Sequence, residues 1–417
     1  MDSFVIRGTC RLEGSVRVSG AKNAVLPVMA ASILAGGVCT LDNVPNLRDT
    51  RTMKKLLEVL GCSVVLEEGR AVIDASRVET FEAPYDLVRT MRASVYALGP
   101  LLARFGKARV SMPGGCAWGP RPIDLHLKGL MALGADVKID HGYIDASAEK
   151  LRGAKIILSV PSVGATINLL MAATCAEGTT VIENAAREPE VVEVAAALKN
   201  GGAAIGGEGS STLTITGVEG ISPFSHRAIP DRIEAGTLAA AAAATRGDVR
   251  IEECRPDQMH AVLDVLEQTG AVVETGEDYL RVKGTDEILP VNIETGFYPA
   301  FPTDMQAQMM ALLCRASGSS TISEHVYPKR FTHVPELRRL GASITLDGSV
   351  AVVTGVDRLE GAPVMATDIR ASSALIMGGM MAEGETKILR VYHIDRGYER
   401  IEEKLQSLGA DIERIGE

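Results

Sequence analysis

The residue pattern with the clearest chemical potential is a cysteine followed five residues later by an arginine, in a segment rich in glycine and proline. Residues 111–125 read SMPGGCAWGPRPIDL, and the three glycines and three prolines are incompatible with a regular helix or strand. The segment is therefore predicted to be a loop that carries Cys116 and Arg121. Most cysteines serve only packing, but a nearby cation lowers the pKa of a thiol. The pattern favours a reactive thiol over an incidental one.

Polar residues recur at the predicted starts of strongly apolar helices. A helix N-terminus carries partial positive charge and free N–H groups, so it suits an anion and disfavours a cation by about 0.3–1 kcal/mol. The cations Lys22, Arg92 and Arg370 therefore indicate a bound anion. Helix capping is the alternative for Ser162, Thr303 and Asp304. The full set is Lys22, Asn23, Arg89, Arg92, Ser162, Val163, Gly164, Asp231, Arg232, Asp304, Asp368 and Arg370.

An internal repeat of roughly 70 residues positions these helix starts. In each copy a glycine ends an amphipathic helix and another ends an apolar one, and a strand follows each. Such glycines suit the left-handed C′ position, and an all-apolar helix is typical of a buried one. Six copies are predicted, three in each of two compact domains. The amphipathic helices end at Gly61, Gly134, Gly202, Gly270, Gly341 and Gly409, and the apolar ones at Gly36, Gly106, Gly178, Gly247, Gly318 and Gly384.

Length, charge and cysteine content narrow the class of protein. A chain of 417 residues suggests two or three domains, and a net charge of −10 disfavours nucleic acids and anionic membranes as partners. The seven cysteines are scattered, without metal-ligand spacing, which predicts no metal site and a reducing compartment. The sequence starts without an apolar signal-like run and contains no stretch long enough for a membrane helix. We therefore expect a cytoplasmic protein.

Ten motifs follow one another along the chain: SGAKNA (19–24), RTMRAS (89–94), PGGCAWGPRPIDLHLKGL (113–130), SVGAT (162–166), ENAAREPEVV (183–192), IPDRIEAGT (229–237), FPTDMQAQ (301–308), RFTHVPEL (330–337), MATDIRAS (365–372) and YHIDRGYERIEEKL (392–405). In content and order they resemble the enolpyruvyl transferase family, specifically the members that act on UDP-N-acetylglucosamine. The resemblance implies two inside-out α/β barrel domains, each of three βαβαββ units with pseudo-threefold symmetry. Residues 22–229 would form one domain, residues 1–21 with 230–417 the other, and the active site would lie in the cleft between them.

The resemblance also implies a reaction, the first committed step of peptidoglycan synthesis. The enolpyruvyl group of phosphoenolpyruvate would pass to the 3′-hydroxyl of UDP-N-acetylglucosamine with release of phosphate, without metal or cofactor. Cys116 would act as the acid at C3, and Asp304 as the base for the hydroxyl proton. Lys22 and Arg396 would complete the catalytic set. A cysteine at position 116 also implies alkylation by the epoxide antibiotic fosfomycin.

The implied binding residues fall into two groups. Phosphoenolpyruvate would be bound by Lys22, Asn23, Arg92, Arg121, Arg330, Arg370 and Arg396. UDP-N-acetylglucosamine would be bound by Asn23, Arg92, Arg121, Pro122, Ile123, Asp124, Leu125, Ser162, Val163, Gly164, Asp304 and Val326. Three residues depart from the pattern of some relatives: Val160 replaces a lysine, and Trp118 and Pro120 change the loop. Small molecules are the only expected partners, and relatives imply a monomer.

Two other functions stay open at this point. One is an enolpyruvyl transferase for another acceptor, such as shikimate 3-phosphate, although that sister family lacks the loop motif around Cys116. The other is a catalytically quiet paralogue that binds the sugar nucleotide and has a regulatory role. Degenerate catalytic positions would indicate it, whereas the sequence keeps all five expected residues: Lys22, Cys116, Asp304, Arg370 and Arg396.

Overall fold

The computed structural model describes residues 2–112 and 123–416 of the chain. The chain divides into two compact units. Gly20–Ile229 form one, called here the N-terminal unit, and Met1–Ser19 with Pro230–Glu417 form the other, called the C-terminal unit. Each unit has its own apolar core. None of the helices in the described ranges is long and apolar enough to cross a membrane.

The strands β1 (Ser3–Arg7) and β2 (Glu13–Arg17) precede the N-terminal unit and belong to the C-terminal one. The N-terminal unit contains the strands β3 (Val38–Asp42), β4 (Ser63–Glu67), β5 (Arg70–Asp74), β6 (Glu82–Ala83), β7 (Lys107–Ser111), β8 (Asp136–Asp140), β9 (Tyr143–Ser147), β10 (Lys155–Ile157), β11 (Thr179–Glu183), β12 (Ala204–Gly206), β13 (Thr212–Thr216) and β14 (Ser225–Arg227). Its helices are α1 (Lys22–Ala31), α2 (Arg48–Val59), α3 (Tyr85–Val88), α4 (Leu98–Phe105), α5 (Asp124–Ala132), α6 (Val163–Ala173) and α7 (Pro189–Asn200), with 3-10 helices at Ser32–Leu34 and Arg92–Ala97.

The C-terminal unit continues with the strands β15 (Asp248–Glu252), β16 (Val272–Thr275), β17 (Tyr279–Lys283), β18 (Ile293–Glu294), β19 (Ser319–Ser323), β20 (Ser343–Asp347), β21 (Val350–Thr354), β22 (Leu359–Glu360), β23 (Pro363–Met365), β24 (Ala382–Glu383), β25 (Glu385–Leu389) and β26 (Asp411–Ile415). Its helices are α8 (Arg232–Ala244), α9 (His260–Gln268), α10 (Gln306–Leu313), α11 (Val334–Arg339), α12 (Ile369–Met381) and α13 (Ile401–Ser407), with 3-10 helices at Pro256–Gln258, Thr303–Met305 and Val391–Arg396.

One four-stranded sheet recurs three times in the described part of each unit. Its first strand is parallel to the second, and the third runs antiparallel to both the second and the fourth, as in β10-β11-β13-β12. The other orders are β14-β3-β5-β4, β6-β7-β9-β8, β2-β15-β17-β16, β18-β19-β21-β20 and β23-β25-β1-β26. With the intervening helices this is the βαβαββ unit, so the predicted fold class of two α/β domains is confirmed.

Strands from distant parts of the chain complete three of these sheets. In the N-terminal unit, β14 pairs in parallel with β3 near the start of the unit. In the C-terminal unit, β2 pairs in parallel with β15, and β1 lies between β25 and β26. Each unit is therefore tied together by strands far apart in sequence.

The first helix of each repeat is buried, as the apolar sequences predict. Every residue of α8 from Ile233 to Ala244 is buried, as is every residue of α10. In the C-terminal unit α8, α10 and α12 pack against one another, and in the N-terminal unit α4 packs against α6. The strands alternate between buried and exposed residues, as in β13, so each such strand has one face toward the core and one toward solvent.

The glycines that end the helices agree with the prediction only in part. All six glycines that end the amphipathic helices have φ between 92° and 104°. Among the glycines that end the apolar helices, Gly106, Gly178 and Gly384 are left-handed, but Gly36, Gly247 and Gly318 are not, so the prediction is wrong there. At Gly247 the preceding Arg246 takes the left-handed φ of 54°, and a Cβ on Gly247 would lie 2.2 Å from the Leu12 carbonyl oxygen. Space, not backbone conformation, requires glycine there.

A further set of repeat glycines follows the third strand of several sheets. The N–H of Gly217 donates to the Gly178 carbonyl at 2.9 Å, and the N–H of Gly355 donates to the Gly318 carbonyl at 3.0 Å. A Cβ on Gly217 would lie 1.6 Å from the Ala176 carbonyl oxygen. At Gly217 this close approach brings the end of β13 against the segment that follows the buried helix α6.

We expect Gly217→Ala to lower the free energy of unfolding by about 2–3 kcal/mol, because the added methyl group forces the strand away from the helix. Urea unfolding followed by circular dichroism measures the change. Gly220→Ala is the matched control, since a Cβ there meets no atom within 4 Å. Equal unfolding midpoints for the two variants would contradict the role given to Gly217.

Candidate active site

The C-terminal unit brings three of the predicted site residues together. They are Asp304, Arg330 and Arg370, called here the Asp304 cluster. Asp304 lies in the 3-10 helix before α10, its Oδ1 is 2.7 Å from Arg330 Nη2, and its Oδ2 is 2.9 Å from Arg370 Nη2. Both guanidinium side chains are 6% exposed, whereas that of Asp304 is 27% exposed. The capping alternative is wrong for Asp304, because its carboxylate binds the two arginines and makes no cap hydrogen bond.

The charge state of Asp304 follows from this geometry. Burial alone would raise the pKa of Asp304, but the Arg370 and Arg330 guanidinium groups outweigh it and hold the pKa well below its usual range. The carboxylate is therefore ionised at neutral pH. In this state it is a weak base, since two cations stabilise its charge.

A hydroxyl network holds Arg370 from the other side. Arg370 Nη1 donates to the Tyr398 hydroxyl at 3.0 Å, and that hydroxyl is 2.8 Å from Thr237 Oγ1. Gln308 Nε2 contacts both hydroxyls and donates to the Asp304 carbonyl at 2.9 Å. Tyr398, Thr237 and Gln308 each lie within one of the ten motifs, but neither residue type nor spacing in the sequence indicates a role for them.

Arg396 is carried by a separately anchored segment of the same unit. It is the last residue of the 3-10 helix Val391–Arg396 and is half-buried. The neighbouring Asp395 binds Arg414 on β26 through two contacts of 2.6 and 3.1 Å. Arg414 also donates to Glu402 Oε1 at 2.6 Å. Tyr398, two residues beyond Arg396, connects this segment to the Asp304 cluster.

In the N-terminal unit, Lys22 has a counter-charge within the protein. Lys22 is the first residue of α1, and its Nζ lies 3.7 Å from Oδ2 of Asp49 in the first turn of α2. Both side chains are nearly buried, at 11% and 5% exposure. Lys22 and Arg370 thus each have a counter-charge within the protein, so their positions at helix starts do not by themselves indicate a bound anion. Asn23 and Arg92 lie half-buried at the starts of α1 and the 3-10 helix Arg92–Ala97.

The start of α6 lies next to α5. Ser162 caps α6 by accepting a hydrogen bond from the Ala165 N–H at 3.3 Å, as the capping alternative predicted. Val163 is the first residue of α6. A Cβ on Gly164 would lie 3.2 Å from Nε2 of His126, so glycine leaves room for this imidazole. Burial lowers the pKa of His126 to about 4, which keeps it neutral at pH 7.

The remaining predicted residues have varied surroundings. Asp124 begins α5 and is exposed, with an ion pair to Lys128 at 3.1 Å, whereas Leu125 is buried in the core and Ile123 is half-buried. Val326 is half-buried in the C-terminal unit. Val160, where some relatives have lysine, is 47% exposed. Cys116, Trp118, Pro120, Arg121 and Pro122 lie outside the described residues.

The six cysteines of the described residues are free but poorly suited to thiolate chemistry. Burial raises the pKa of Cys62 and of Cys254 to about 11 and that of Cys314 to about 12. These thiols stay protonated at neutral pH. Within 2–112 and 123–416, no group of three or more His, Cys, Asp or Glu side chains could hold a metal ion.

The family model and the named relatives that match this chain cover all or nearly all of its length. The family model described as EPSP synthase (3-phosphoshikimate 1-carboxyvinyltransferase) matches residues 6–405. The chain is 53% identical over 417 residues to UDP-N-acetylglucosamine 1-carboxyvinyltransferase of Geotalea uraniireducens (strain Rf4), with 100% of both chains covered. It is 54% identical over 419 residues to the protein of the same name from Myxococcus xanthus (strain DK1622), with 99% of both covered.

Solved structures give the same architecture. The enolpyruvyl transferase NikO from Streptomyces tendae matches with a TM-score of 0.90 and 27% identity, over 99% of this chain and 98% of that one. EPSP synthase from Acinetobacter baumannii matches with a TM-score of 0.75 and 18% identity over the full length of both chains. The second likeness bears on the fold alone.

We expect Asp304→Asn to lower the free energy of unfolding by about 2–4 kcal/mol at pH 7, because two nearly buried guanidinium groups lose their counter-charge. The pKa of Asp304 is lower in the folded than in the unfolded chain, so its contribution is fully present well above the unfolded pKa of about 4. The difference between wild type and variant should therefore be equal at pH 7 and pH 6 and shrink as the pH falls below about 4.

Urea unfolding across this pH range measures the effect. Asp286→Asn, which changes an exposed carboxylate of the same unit, is the control. It should leave the free energy of unfolding nearly unchanged at any pH. A difference that stays constant down to pH 3, or one absent at pH 7, would argue against the ion pairs as the source of the stability.

Proposed function

The chain belongs to the EPSP synthase (3-phosphoshikimate 1-carboxyvinyltransferase) family, and we propose that it transfers the enolpyruvyl group of phosphoenolpyruvate to the 3′-hydroxyl of UDP-N-acetylglucosamine, with release of phosphate. Identity of 53–54% to UDP-N-acetylglucosamine 1-carboxyvinyltransferases along the full chain carries this proposal. The activity is that of an alkyl-group transferase and provides the first committed step of peptidoglycan synthesis.

The cluster around Asp304 supports the proposed chemistry. Phosphoenolpyruvate carries a carboxylate and a phosphate, and arginine binds both groups through paired N–H donors. Arg330 and Arg370 are nearly buried, so their charge is weakly screened by water. An anionic substrate that binds these guanidinium groups would weaken their hold on Asp304 and raise the pKa of its carboxylate. Asp304 would then become a better base when substrate is bound.

The proposed steps balance as an addition followed by an elimination. Asp304 takes the proton of the sugar 3′-hydroxyl while the hydroxyl oxygen attacks C2 of phosphoenolpyruvate. Cys116 gives a proton to C3, which yields a tetrahedral ketal that still carries the phosphate. The Cys116 thiolate then takes a proton back from C3 as the phosphate leaves with the electrons of its C2–O bond, which restores the double bond in the enolpyruvyl ether. Lys22 and Arg396 are proposed to stabilise the departing phosphate.

The remaining binding roles are proposals of the same kind. Lys22, Asn23, Arg92, Arg121, Arg330, Arg370 and Arg396 would bind phosphoenolpyruvate. The sugar nucleotide would be bound by Asn23, Arg92, Arg121, Pro122, Ile123, Asp124, Leu125, Ser162, Val163, Gly164, Asp304 and Val326. The first turn of α6 offers free N–H groups for a diphosphate.

We also propose that the protein acts as a monomer in the cytoplasm. The free state of the six described cysteines supports a reducing compartment. Sedimentation of the purified protein would decide the oligomeric state.

A phosphate-release assay tests the function. Wild type should release phosphate only when phosphoenolpyruvate and UDP-N-acetylglucosamine are both present. Cys116→Ala and Asp304→Ala should each lower kcat by about 100-fold or more, because each removes a proton-transfer group. Arg358→Ala, which removes an exposed cation of the same unit, is the control and should keep wild-type kinetics.

The same assay separates the alternatives. The description of the family model favours shikimate 3-phosphate as the competing acceptor, and turnover with it in place of the sugar nucleotide would support that function. A wild-type protein that binds UDP-N-acetylglucosamine but releases no phosphate with either acceptor would instead be a catalytically quiet paralogue.

Fosfomycin provides a second, chemical test at Cys116. The thiolate should open the epoxide and form a stable thioether, which intact-protein mass spectrometry detects as a single added fosfomycin. Cys116→Ala should gain no mass, and the other cysteines serve as internal controls because burial raises the pKa of Cys62 and Cys314. Modification elsewhere, or none in wild type, would remove Cys116 from the proposed role.

A further inference from the structure

A second carboxylate of the C-terminal unit is completely buried beside the Asp304 cluster. Glu324 follows β19 directly and is 0% exposed. Its Oε1 accepts hydrogen bonds from Thr295 Oγ1 at 2.8 Å, from the Val326 N–H at 2.9 Å and from the Tyr327 N–H at 2.8 Å. Its Oε2 accepts one from Thr303 Oγ1 at 2.9 Å. Burial of a polar group is costly unless it is hydrogen-bonded, and these four donors satisfy both oxygens of the carboxylate.

Through Thr303, Glu324 orients the guanidinium group of Arg330. Thr303 Oγ1 accepts a hydrogen bond from Arg330 Nη1 at 3.0 Å while it donates to Glu324. A guanidinium group can only donate and an ionised carboxylate can only accept, so the hydroxyl has one possible orientation. The other arm of the guanidinium group, Nη2, contacts Asp304. The chain Glu324–Thr303–Arg330–Asp304 thus runs from carboxylate to carboxylate.

Through its other oxygen, Glu324 shapes the turn that leads to Arg330. The N–H groups of Val326 and Tyr327 both point to Oε1. The Tyr327 carbonyl in turn accepts a hydrogen bond from the Arg330 N–H at 2.8 Å. One side chain therefore sets the backbone at Val326, a proposed sugar-nucleotide contact, and the side chain at Arg330, a proposed phosphoenolpyruvate contact.

We propose that Glu324 is a positioning residue for both substrates, acting on phosphoenolpyruvate through Thr303 and Arg330 and on the sugar nucleotide through the backbone of Val326. This inference rests on the proposed function. The alternative is that Glu324 only folds the turn 324–330. The two explanations predict different results for a substitution of Thr303. Its hydroxyl connects Glu324 to Arg330 but contributes none of the backbone hydrogen bonds of the turn.

Steady-state kinetics of Thr303→Val, Thr303→Ser and Glu324→Gln test the proposal. Thr303→Val keeps the shape but removes the hydroxyl, so the KM for phosphoenolpyruvate should rise about ten- to a hundredfold, as expected for a lost hydrogen bond to a charged group. The KM for UDP-N-acetylglucosamine should stay within about twofold. Thr303→Ser restores the hydroxyl and should return the KM for phosphoenolpyruvate to near its wild-type value. Glu324→Gln, which removes the charge, should raise both KM values.

Thr345→Val, an exposed threonine on β20, is the matched control for the loss of a hydroxyl and should keep wild-type kinetics. Wild-type turnover is measured first, and its absence would defeat the proposed function and this inference with it. With wild type active, equal KM values for Thr303→Val and Thr303→Ser would overturn the positioning role alone. If Glu324→Gln fails to fold, the Thr303 pair still decides the question.

Discussion

Two guanidinium groups buried on either side of one carboxylate are the feature on which the C-terminal site depends. Arg330 and Arg370 would repel each other and lose hydration without a counter-charge, so Asp304 makes their burial tolerable. Asp304 is not the sole acidic side chain near these cations, because Glu324 lies one hydroxyl away from Arg330. The two guanidinium groups hold the pKa of Asp304 well below its usual range, so this carboxylate is ionised at neutral pH.

The repeat explains how a carboxylate becomes available for this role. In the C-terminal unit each of the three buried helices starts near an aspartate. Asp231 and Asp368 act as N-caps, each accepting hydrogen bonds from two backbone N–H groups. In the remaining repeat, the 3-10 helix Thr303–Met305 precedes α10, and Asp304 makes no cap hydrogen bond. Asp304 therefore lies at a helix start like the two capping aspartates, but its carboxylate contacts two arginines instead of backbone N–H groups. Pseudo-symmetric repeats give equivalent positions different uses.

Features that depend on local sequence could be predicted, and those that depend on distant contacts could not. The burial of helices such as α8 and the left-handed glycines after the amphipathic helices follow from periodicity and residue type. The counter-charge of Lys22 comes from another helix, and the partners of Asp304 follow it in the sequence by 26 residues (304 to 330) and 66 residues (304 to 370). Glu324 and Tyr398 are ordinary residue types in the sequence. Only the fold shows what they contact.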